Sequence, residues 1–284
     1  MKISVITPSF HQGKFIRRTV ESVLGQCYQD KELVVFDGGS NDETVAILQS
    51  FGGALRWVSE PDRGQTHAIN KGIQATEGEI IGWLNSDDVY HKGALAVVAE
   101  EFRRRPDIDV IYGEADHIDE DGRLIEPYPV EEWNFDRMKE TCIICQPACF
   151  FRRKVVKQHG LLNEKLNWCM DYEYWLRLGK KGVQFLKIDN KLAESRMYAD
   201  NKTMRGRIKV HQQINDVMKQ HFGRVPERWI FNLAHYLAAD KIDRNQDEKK
   251  FCRLLAVETC RAFWHWRTMP NLKSCIQIKS WFTL

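Results

Sequence analysis

Short apolar runs alternate with amphipathic helical patterns over the first hundred residues of the chain. The apolar runs predict strands at residues 3–6, 33–36, 55–58 and 80–84. Residues at helical spacing predict two intervening helices, one marked by Phe15, Ile16, Val20, Val23 and Leu24 and one by Thr44, Val45, Leu48 and Phe51. Ser40 and Glu43 have the spacing of a capping box at the start of the second helix. This alternation is typical of βαβ units, so the sequence predicts an α/β fold with a largely parallel sheet.

The pattern changes twice further along the chain. After Pro106 the apolar runs are shorter, and residues 119–122 have the composition of a turn that follows a run at 110–113. From Arg205 onward the patterns are helical, with Pro226 expected in the first turn of one helix. We therefore predict an α/β domain at residues 1–203, with halves at 1–105 and 106–203, and a helical C-terminal region at 204–284.

Carboxylates follow three of the four predicted strands. Ligands of open α/β sheets bind beyond the carboxyl ends of the strands, so the residues at these ends are the candidates for a site. They are Thr7 and Pro8, then Asp37, then residues 60–63, then residues 85–88. Such a site is too acidic for a bare phosphate, but a divalent cation would allow it to hold a diphosphate.

The fourth of these ends carries two adjacent carboxylates, Asp87 and Asp88, directly after an apolar run. Neighbouring carboxylates repel each other and lose hydration when buried, so the pair needs a cation or hydrogen-bond donors nearby. The alternative is an acidic turn at the surface.

Three blocks of the sequence resemble glycosyltransferase family 2. The longest extends from Ser59 to Asp88, and residues 6–10 and 34–42 also match in order and spacing. The resemblance covers roughly residues 1–200. It implies a GT-A fold with a donor-nucleotide half at 1–105 and an acceptor half at 106–203. It further implies an inverting, metal-dependent transfer from a nucleotide-diphospho-sugar, as in bacterial O-antigen, capsule and exopolysaccharide assembly.

The resemblance also assigns roles on the donor side. Asp37 matches the aspartate that accepts a hydrogen bond from uracil, which favours a UDP-sugar, and Thr7 and Pro8 would lie beside the base. Residues 86–88 resemble the DxD element, in which Asp88 would bind Mn²⁺ or Mg²⁺ and Asp87 would face the ribose or sugar. Ser86 departs from the first aspartate of that element. Further candidate donor contacts are Arg63, Asn70 and Lys71, with a solvated surface role as the alternative for Arg63 and Lys71.

Asp171 is the candidate catalytic base. By its pattern, the segment from Asp171 is an amphipathic helix with Tyr174, Trp175 and Leu178 on one face and an acid in its first turn. The segment resembles the family's acidic element at the start of an acceptor-side helix, where one aspartate is the base. An inverting transfer needs a carboxylate that takes the proton of the acceptor hydroxyl during in-line attack.

Two further segments have weaker assignments. Residues 196–203 lie where relatives place a loop that contacts the diphosphate through a histidine; Tyr198 replaces the histidine, and Arg196 and Lys202 are the remaining candidates. Three cysteines, at 142, 145 and 149, have the composition of a zinc site but lack a matching second pair.

Charge separates the C-terminal region from the rest of the chain. From Met204 onward it carries 15 Lys and Arg against 7 Asp and Glu, a net charge of +8 within a total of +3. Its end combines basic and aromatic residues, which suits an anionic bilayer surface and, through it, a lipid-linked saccharide acceptor. The alternative is a helical subdomain whose aromatic residues pack on the catalytic domain. In the tail the relevant aromatic residues are Phe263, Trp264, Trp266, Trp281 and Phe282.

Other classes of protein are less consistent with the sequence. There is no secretory signal pattern or apolar run of membrane-spanning length, and the irregularly spaced cysteines suit reduced thiols, so we expect a cytoplasmic protein. A nucleotidyltransferase would need a basic, glycine-rich loop after the first strand, and residues 9–13 lack it. P-loop and dinucleotide fingerprints are absent. A non-catalytic nucleotide-sugar-binding protein stays an alternative, while nucleic acid is not an expected partner.

Overall fold

The structure is a computed structural model that describes residues 1–283. Its contacts divide the described chain into two compact units. The first unit comprises Met1–Met138 and Cys142–Tyr198, and the second comprises Lys139–Thr141 with the residues from Ala199 onward. The break after Tyr198 lies a few residues before the predicted domain boundary, and the assignment of donor and acceptor halves stays a prediction.

The N-terminal part of the first unit is a parallel sheet with intervening helices. Its elements are β1 (Ile3–Ser9), α1 (Ile16–Leu24), β2 (Lys31–Asp37), α2 (Thr44–Ser50), β3 (Arg56–Ser59), α3 (Gln65–Gln74) and β4 (Ile80–Trp83). The strands β3, β2, β1 and β4 are adjacent in that order and all parallel. The four predicted strands and the parallel sheet are confirmed. Strands β1 and β2 are longer than predicted because their pairing continues into polar residues, up to Ser9 beside Asp37.

The predicted capping box at the start of α2 is wrong. The helix begins at Thr44, whose backbone N–H donates a hydrogen bond to Oδ1 of Asp42 at 3.1 Å. The Ser40 hydroxyl instead donates to Oδ1 of Asp37 at 2.6 Å and accepts from the N–H of His11. Ser40 therefore belongs to the loop after β2, because the buried Asp37 carboxylate needs donors there.

The remaining part of the first unit extends the sheet with shorter and mixed strands. Its elements are β5 (Val89–Tyr90), α4 (Ala94–Arg104), β6 (Val110–Ile118), β7 (Leu124–Pro127), α5 (Phe135–Glu140), β8 (Cys149–Arg152), α6 (Arg153–His159), α7 (Met170–Lys180) and β9 (Phe185–Arg196). Beyond β4 the strand order is β8, β6, β9 and β5, and β7 pairs antiparallel with β6. The predicted hairpin with its turn at residues 119–122 is therefore confirmed.

Helix α3 packs closely against strand β1 of this sheet. A Cβ atom at Gly72 in α3 would lie 2.3 Å from Cγ2 of Ile6, which is fully buried. Such a contact is far below van der Waals distance, so the helix can approach the strand only because position 72 lacks a side chain.

Gly72→Ala is expected to lower the free energy of unfolding by about 1–3 kcal/mol, because the added methyl group overpacks the interface between helix and strand. Gly53→Ala is the matched control, since a Cβ at Gly53 meets no atom within 4 Å. Chemical denaturation of both variants measures the difference. Equal stability of the two proteins would contradict this account of the packing.

The second unit is helical. It contains α8 (Lys202–Arg205), α9 (Arg207–Phe222), α10 (Glu227–Ala239), α11 (Glu248–His265) and α12 (Leu272–Thr283). The predicted helical C-terminal extension is confirmed, although Pro226 immediately precedes α10 and does not lie within its first turn. Among the described residues, no helix is long and apolar enough to cross a membrane.

Candidate active site

The carboxyl ends of the parallel strands gather polar residues at one edge of the sheet. Asp37 ends β2 and is 2% exposed. Its Oδ2 accepts hydrogen bonds from the backbone N–H groups of Gly39 (3.1 Å) and Ser40 (2.8 Å) and from the Ser59 hydroxyl (2.6 Å). These donors hold the carboxylate in one orientation at the end of the strand. A uracil contact at Asp37, which stays a prediction, would have to share this carboxylate with its present donors.

Three buried polar atoms without partners lie in or just after β1, the strand that pairs with β2. Among the described residues, Thr7 Oγ1, Ser9 Oγ and Gln12 Oε1 are buried without a hydrogen-bond partner. All three belong to β1 or the segment that follows it, where Pro8 is buried opposite Phe36. Buried polar groups are normally satisfied, so this cluster has hydrogen-bonding capacity left for a ligand or water.

The sequence interpretation did not single out Phe10 as a separate site residue. Its ring is 57% exposed and stacks on the His11 ring with centroids 3.9 Å apart. Residue His11 has a positive φ of 52°, a conformation that turns the chain sharply after β1. An exposed aromatic ring beside Thr7 and Pro8 is a stacking surface for a planar ligand. Its position two residues after Pro8, which the sequence places beside the base, could have indicated Phe10 as a site residue.

Asp87 and Asp88 follow β4 in a turn, as the sequence predicted. Asp88 is 3% exposed, and its Oδ1 accepts from the backbone N–H of Arg196 at 2.8 Å. Its Oδ2 accepts from Nδ2 of Asn85 at 3.1 Å. Asn85 also donates to Gln146 and accepts from Gln65 and Trp83, so its amide is fully used. Asn85 therefore orients the Asp88 carboxylate through a connected network that sequence reasoning did not identify.

The acidic pair is electrostatically strained. Burial, and then the charge of Asp87, raise the pKa of Asp88 to about 8. Burial also raises the pKa of Asp87, against the hydrogen bond that its Oδ2 accepts from the Tyr198 hydroxyl at 2.9 Å. A divalent cation would favour the ionised forms of both carboxylates. The pair therefore fits a cation, which Mg²⁺ can hold through one or two carboxylates plus substrate phosphates.

Arg196 is hydrogen-bonded to both residues of this pair and is 3% exposed. Its Nε donates to the carbonyl of Asp87 at 2.8 Å, and its Nη1 donates to the carbonyls of Asp119 (2.7 Å) and Glu120 (3.0 Å) in the hairpin turn. The guanidinium therefore ties the acidic turn to the hairpin. This geometry favours a positioning role for Arg196 over the predicted direct contact with the diphosphate.

Asn70 has a structural position that sequence reasoning did not anticipate. It is 3% exposed, its Nδ2 donates to the carbonyl of Leu162 at 3.0 Å, and its Oδ1 accepts from the N–H of the same residue. The amide therefore holds α3 against the segment before α7 through two hydrogen bonds to the backbone of Leu162. This geometry argues against the predicted donor contact of Asn70.

The two cationic candidates near α3 are in ion pairs. Arg63 is exposed and pairs with Glu164 at 2.6 Å, and Lys71 pairs with Glu60 while its ammonium lies 5.2 Å from the Phe36 ring centroid. A contact of either residue with the diphosphate stays a prediction. It would require the cation to leave its glutamate partner for the phosphate oxygens. The last candidate, Lys202, begins α8 in the second unit, and its role also stays a prediction.

Asp171 lies in the first turn of α7, half-buried, with the helix dipole favouring its negative charge. Burial, followed by the charge of Asp88 and more weakly by that of Asp171, raises the pKa of the Cys145 thiol. The buried Cys145 is therefore within electrostatic reach of both aspartates. The fold thus brings the predicted base and the predicted metal ligand to the same region of the first unit.

The cysteine segment before β8 gives no support to a zinc site. Cys142 Sγ donates to the carbonyl of Ile144 at 3.4 Å, and Cys145 and Cys149 are buried in the core. Within residues 1–283, no three His, Cys, Asp or Glu side chains gather as metal ligands.

Comparison with known proteins identifies the family. The profile described as Glycosyl transferase family 2 matches residues 4–160, more than half of the 284-residue chain. The chain therefore belongs to glycosyl transferase family 2. Chondroitin synthase of Escherichia coli is 28% identical over 218 residues, which cover 74% of this chain and 31% of that protein. The chain thus spans about a third of the length of the curated relatives that it matches first.

Solved structures share the fold. Staphylococcus aureus TarS 1-349 in complex with UDP-GlcNAc has a TM-score of 0.63 at 18% identity, covering 91% of this chain and 80% of that one. A mannosyltransferase from Pyrobaculum calidifontis in complex with GDP-Man and Mn²⁺ has a TM-score of 0.60 at 14% identity, covering 98% and 79%. The predicted GT-A fold with a C-terminal helical extension is thereby confirmed.

Proposed function

We propose that the chain transfers a sugar from a nucleotide-diphospho-sugar to a hydroxyl group of a saccharide acceptor, with inversion at the anomeric carbon. The observation that carries this proposal is the adjacent pair of half-buried Asp87 and buried Asp88 after β4, whose pKa values are both raised. The unsatisfied hydroxyls of Thr7 and Ser9 and the exposed Phe10 ring support a nucleoside site at the neighbouring strand end. The related proteins named above bind UDP-GlcNAc and GDP-Man in their structures, which supports this donor class.

The base and the diphosphate of the donor would contact residues at different strand ends. The base would stack near Phe10 and meet Asp37, while the diphosphate would extend toward Asp88. When bound, Mn²⁺ or Mg²⁺ would neutralise the charge that develops on the departing nucleoside diphosphate, and Asp88, with Asp87 beside it, would hold the cation. Asn85 and Arg196 would keep the Asp88 carboxylate oriented through the contacts described above.

The transfer step would use Asp171 as the base. The acceptor oxygen attacks the anomeric carbon while its proton passes to the Asp171 carboxylate, and the bond from that carbon to the phosphate oxygen breaks. The electron pair of this bond leaves with the nucleoside diphosphate. One in-line displacement inverts the configuration, so no covalent enzyme intermediate forms. The transition state resembles the oxocarbenium ion of glycoside hydrolysis, with a sugar hydroxyl as the nucleophile.

The identity of the donor nucleotide and of the acceptor rests on sequence similarity and not on the geometry of the site. The match at Asp37 favours UDP over other nucleotides. Similarity to a chondroitin synthase favours a polysaccharide product, and we extend the proposal to a saccharide acceptor that is free or lipid-linked.

Calorimetric titration of UDP, GDP and dTDP, with Mn²⁺ and then with EDTA, tests the donor site. We expect one diphosphate, UDP on the present proposal, to bind in a metal-dependent manner. UMP is the control, because it lacks the second phosphate that a bridging cation would use. Binding of none of the three diphosphates would overturn the proposal and favour a non-catalytic role.

A further inference from the structure

The second unit exposes an unusual concentration of large apolar side chains. The described chain has nine exposed large hydrophobic residues, and five of them lie between residues 264 and 282. These five are Trp264 (83% exposed), Met269 (89%), Leu272 (77%), Ile276 (61%) and Phe282 (45%). Single exposed apolar residues need no explanation, but a contiguous group marks a surface that another phase or molecule covers.

Helical spacing joins most of these residues into one surface on α11 and α12. On α11 the exposed or half-buried positions recur every three or four residues at Lys250, Arg253, Leu254, Val257, Arg261 and Trp264. On α12 they recur at Leu272, Ile276, Lys279 and Phe282. We call these ten residues the α11–α12 face.

Contacts between the two helices join the two rows at one end of the face. Phe282 of α12 lines a shallow groove of about 550 Å³ together with Arg253, Leu254 and Val257 of α11. Further along, burial first and then the charge of Cys275 on α12 raise the pKa of the Cys260 thiol on α11. The two helices therefore run antiparallel, and their rows meet where Phe282 lies beside Arg253, Leu254 and Val257.

Three of the four cationic side chains on this face lack an acidic partner in the described chain. Helix α12 contains no acidic residue, and the two acids of α11 are already used. Glu248 pairs with Arg244 at 2.7 Å, and the buried Glu258 pairs with Lys241 (2.9 Å) and Arg261 (3.1 Å). Within the described chain, Lys250, Arg253 and Lys279 have no acidic partner.

We propose that the α11–α12 face binds an anionic lipid bilayer, lying on its surface with the apolar side chains at headgroup depth. Aliphatic and aromatic side chains between unpaired cations fit the boundary where acyl chains meet negative headgroups. Each Lys or Arg near such a surface adds to the attraction for anionic headgroups. The inference concerns the second unit alone and does not depend on the proposed reaction.

The structure also corrects the sequence interpretation of this tail. Phe263 (5% exposed) and Trp266 (8% exposed) are buried within the second unit, and Trp266 donates to Asp216 at 2.9 Å. They stabilise the helical unit and are not available to lipid. Trp281 is half-buried, and its ring packs edge-on against that of Phe231. Trp264 and Phe282 are the exposed aromatic residues that remain for membrane contact.

Other occupants fit the face less well. A second copy in a symmetric contact would bring the same unpaired cations together, which is repulsive. A nucleic acid would use the cations but would leave Leu272 and Ile276 without apolar contacts. The second-copy alternative is an outcome of the following experiment.

Vesicle flotation with the full chain tests the proposal. We expect the protein to float with phosphatidylcholine vesicles that contain about 30% phosphatidylglycerol and to stay behind with phosphatidylcholine alone. Binding should weaken between about 0.15 M and 1 M NaCl, because the Debye length falls from about 8 to about 3 Å.

Two sets of variants locate the binding surface. Lys250→Gln/Arg253→Gln/Lys279→Gln should lower the partition coefficient by about 100-fold, because each variant position loses its attraction to anionic headgroups. Lys92→Gln/Lys157→Gln/Lys181→Gln removes three exposed charges of the first unit and should change it less than about twofold. Trp264→Ser/Ile276→Ser should also reduce binding, with the loss persisting at low salt.

Three results would overturn the proposal. One is an absence of wild-type binding to anionic vesicles, and another is an equal loss in both triple variants. The third is light scattering that shows a dimer abolished by Trp264→Ser/Ile276→Ser, since a second copy would then cover the face. Circular dichroism of each variant checks that the helices are intact.

Discussion

The Asp171→Asn protein is expected to transfer sugar about 10²–10⁴-fold more slowly than wild type, while its affinity for the donor nucleotide stays within about twofold. Asparagine has nearly the same shape as aspartate but cannot accept the proton of the acceptor hydroxyl. Steady-state rates with a competent donor and acceptor give the first quantity, and nucleotide titration with Mn²⁺ gives the second.

A loss of folding cannot imitate this result. Asp171 lies in the first turn of α7, where its charge interacts favourably with the helix dipole, and asparagine keeps its shape and one acceptor oxygen. Thermal melting of the variant beside wild type checks that the fold is retained. The split between a lost rate and a retained donor affinity is the signature of a base on the acceptor side.

Asp107→Asn is the matched control for the charge change. Asp107 is an exposed aspartate of the first unit outside the candidate site, so its variant should transfer sugar at the wild-type rate. Wild-type transfer by Asp171→Asn would refute the base assignment without affecting the proposed donor site. Loss of donor binding in the same variant would instead move Asp171 to the donor side.

Strand-end residues were predictable because parallel pairing leaves little freedom. Once β1, β2 and β4 are recognised as parallel neighbours, Thr7, Asp37 and Asp88 must lie along the same edge of the sheet. The apolar runs alone indicate those strands. Their assigned roles came from family resemblance, because strand order says nothing about the ligand that the edge would hold.

Burial of polar residues could not be predicted from the same patterns. Arg196 and Asn70 have the composition of ligand contacts, but each is 3% exposed and bonded to backbone carbonyls from distant parts of the chain. Ser40 matched a local capping pattern, yet the long-range demand of the buried Asp37 carboxylate determined its hydrogen bonds. Local sequence carries no record of such partners.

Positions around the helix axis explain why some of the aromatic residues predicted to contact the membrane are exposed and others are buried. Trp264 and Trp266 are two residues apart, which places them on different sides of the end of α11, one exposed and one buried. Composition groups them as one aromatic cluster, and the structure separates them. Only the exposed set can contact lipid.

Asp88→Asn is expected to lower the affinity for donor nucleotide in Mn²⁺ by about 100-fold or more and to abolish transfer. Residues that merely support a metal ligand typically change metal affinity by about 10–100-fold, so loss of the proposed ligand itself should cost at least as much. Titration with Mn²⁺ and with EDTA should give nearly equal, weak binding in the variant, because the cation no longer links protein and diphosphate.

The substitution is suited to this environment, so the fold should survive it. The side-chain Nδ2 of Asn85 and the backbone N–H of Arg196 need an acceptor at position 88, which the asparagine side-chain oxygen can supply to one of them. Burial already disfavours the charged form of Asp88, so a neutral side chain relieves desolvation at this position. Thermal melting in EDTA should therefore show little loss, while Mn²⁺ with UDP should stabilise wild type and not the variant.

Asp87→Asn separates the two acids of the pair. The Asp87 carboxylate accepts from Tyr198 and is expected to face the ribose or sugar, so its variant should bind donor more weakly but keep a difference between Mn²⁺ and EDTA. If Asp88→Asn keeps the wild-type metal dependence and Asp87→Asn loses it, the ligand assignment must be exchanged within the pair. If neither variant loses it, the cation is held elsewhere, and the strained pair needs another explanation than metal binding.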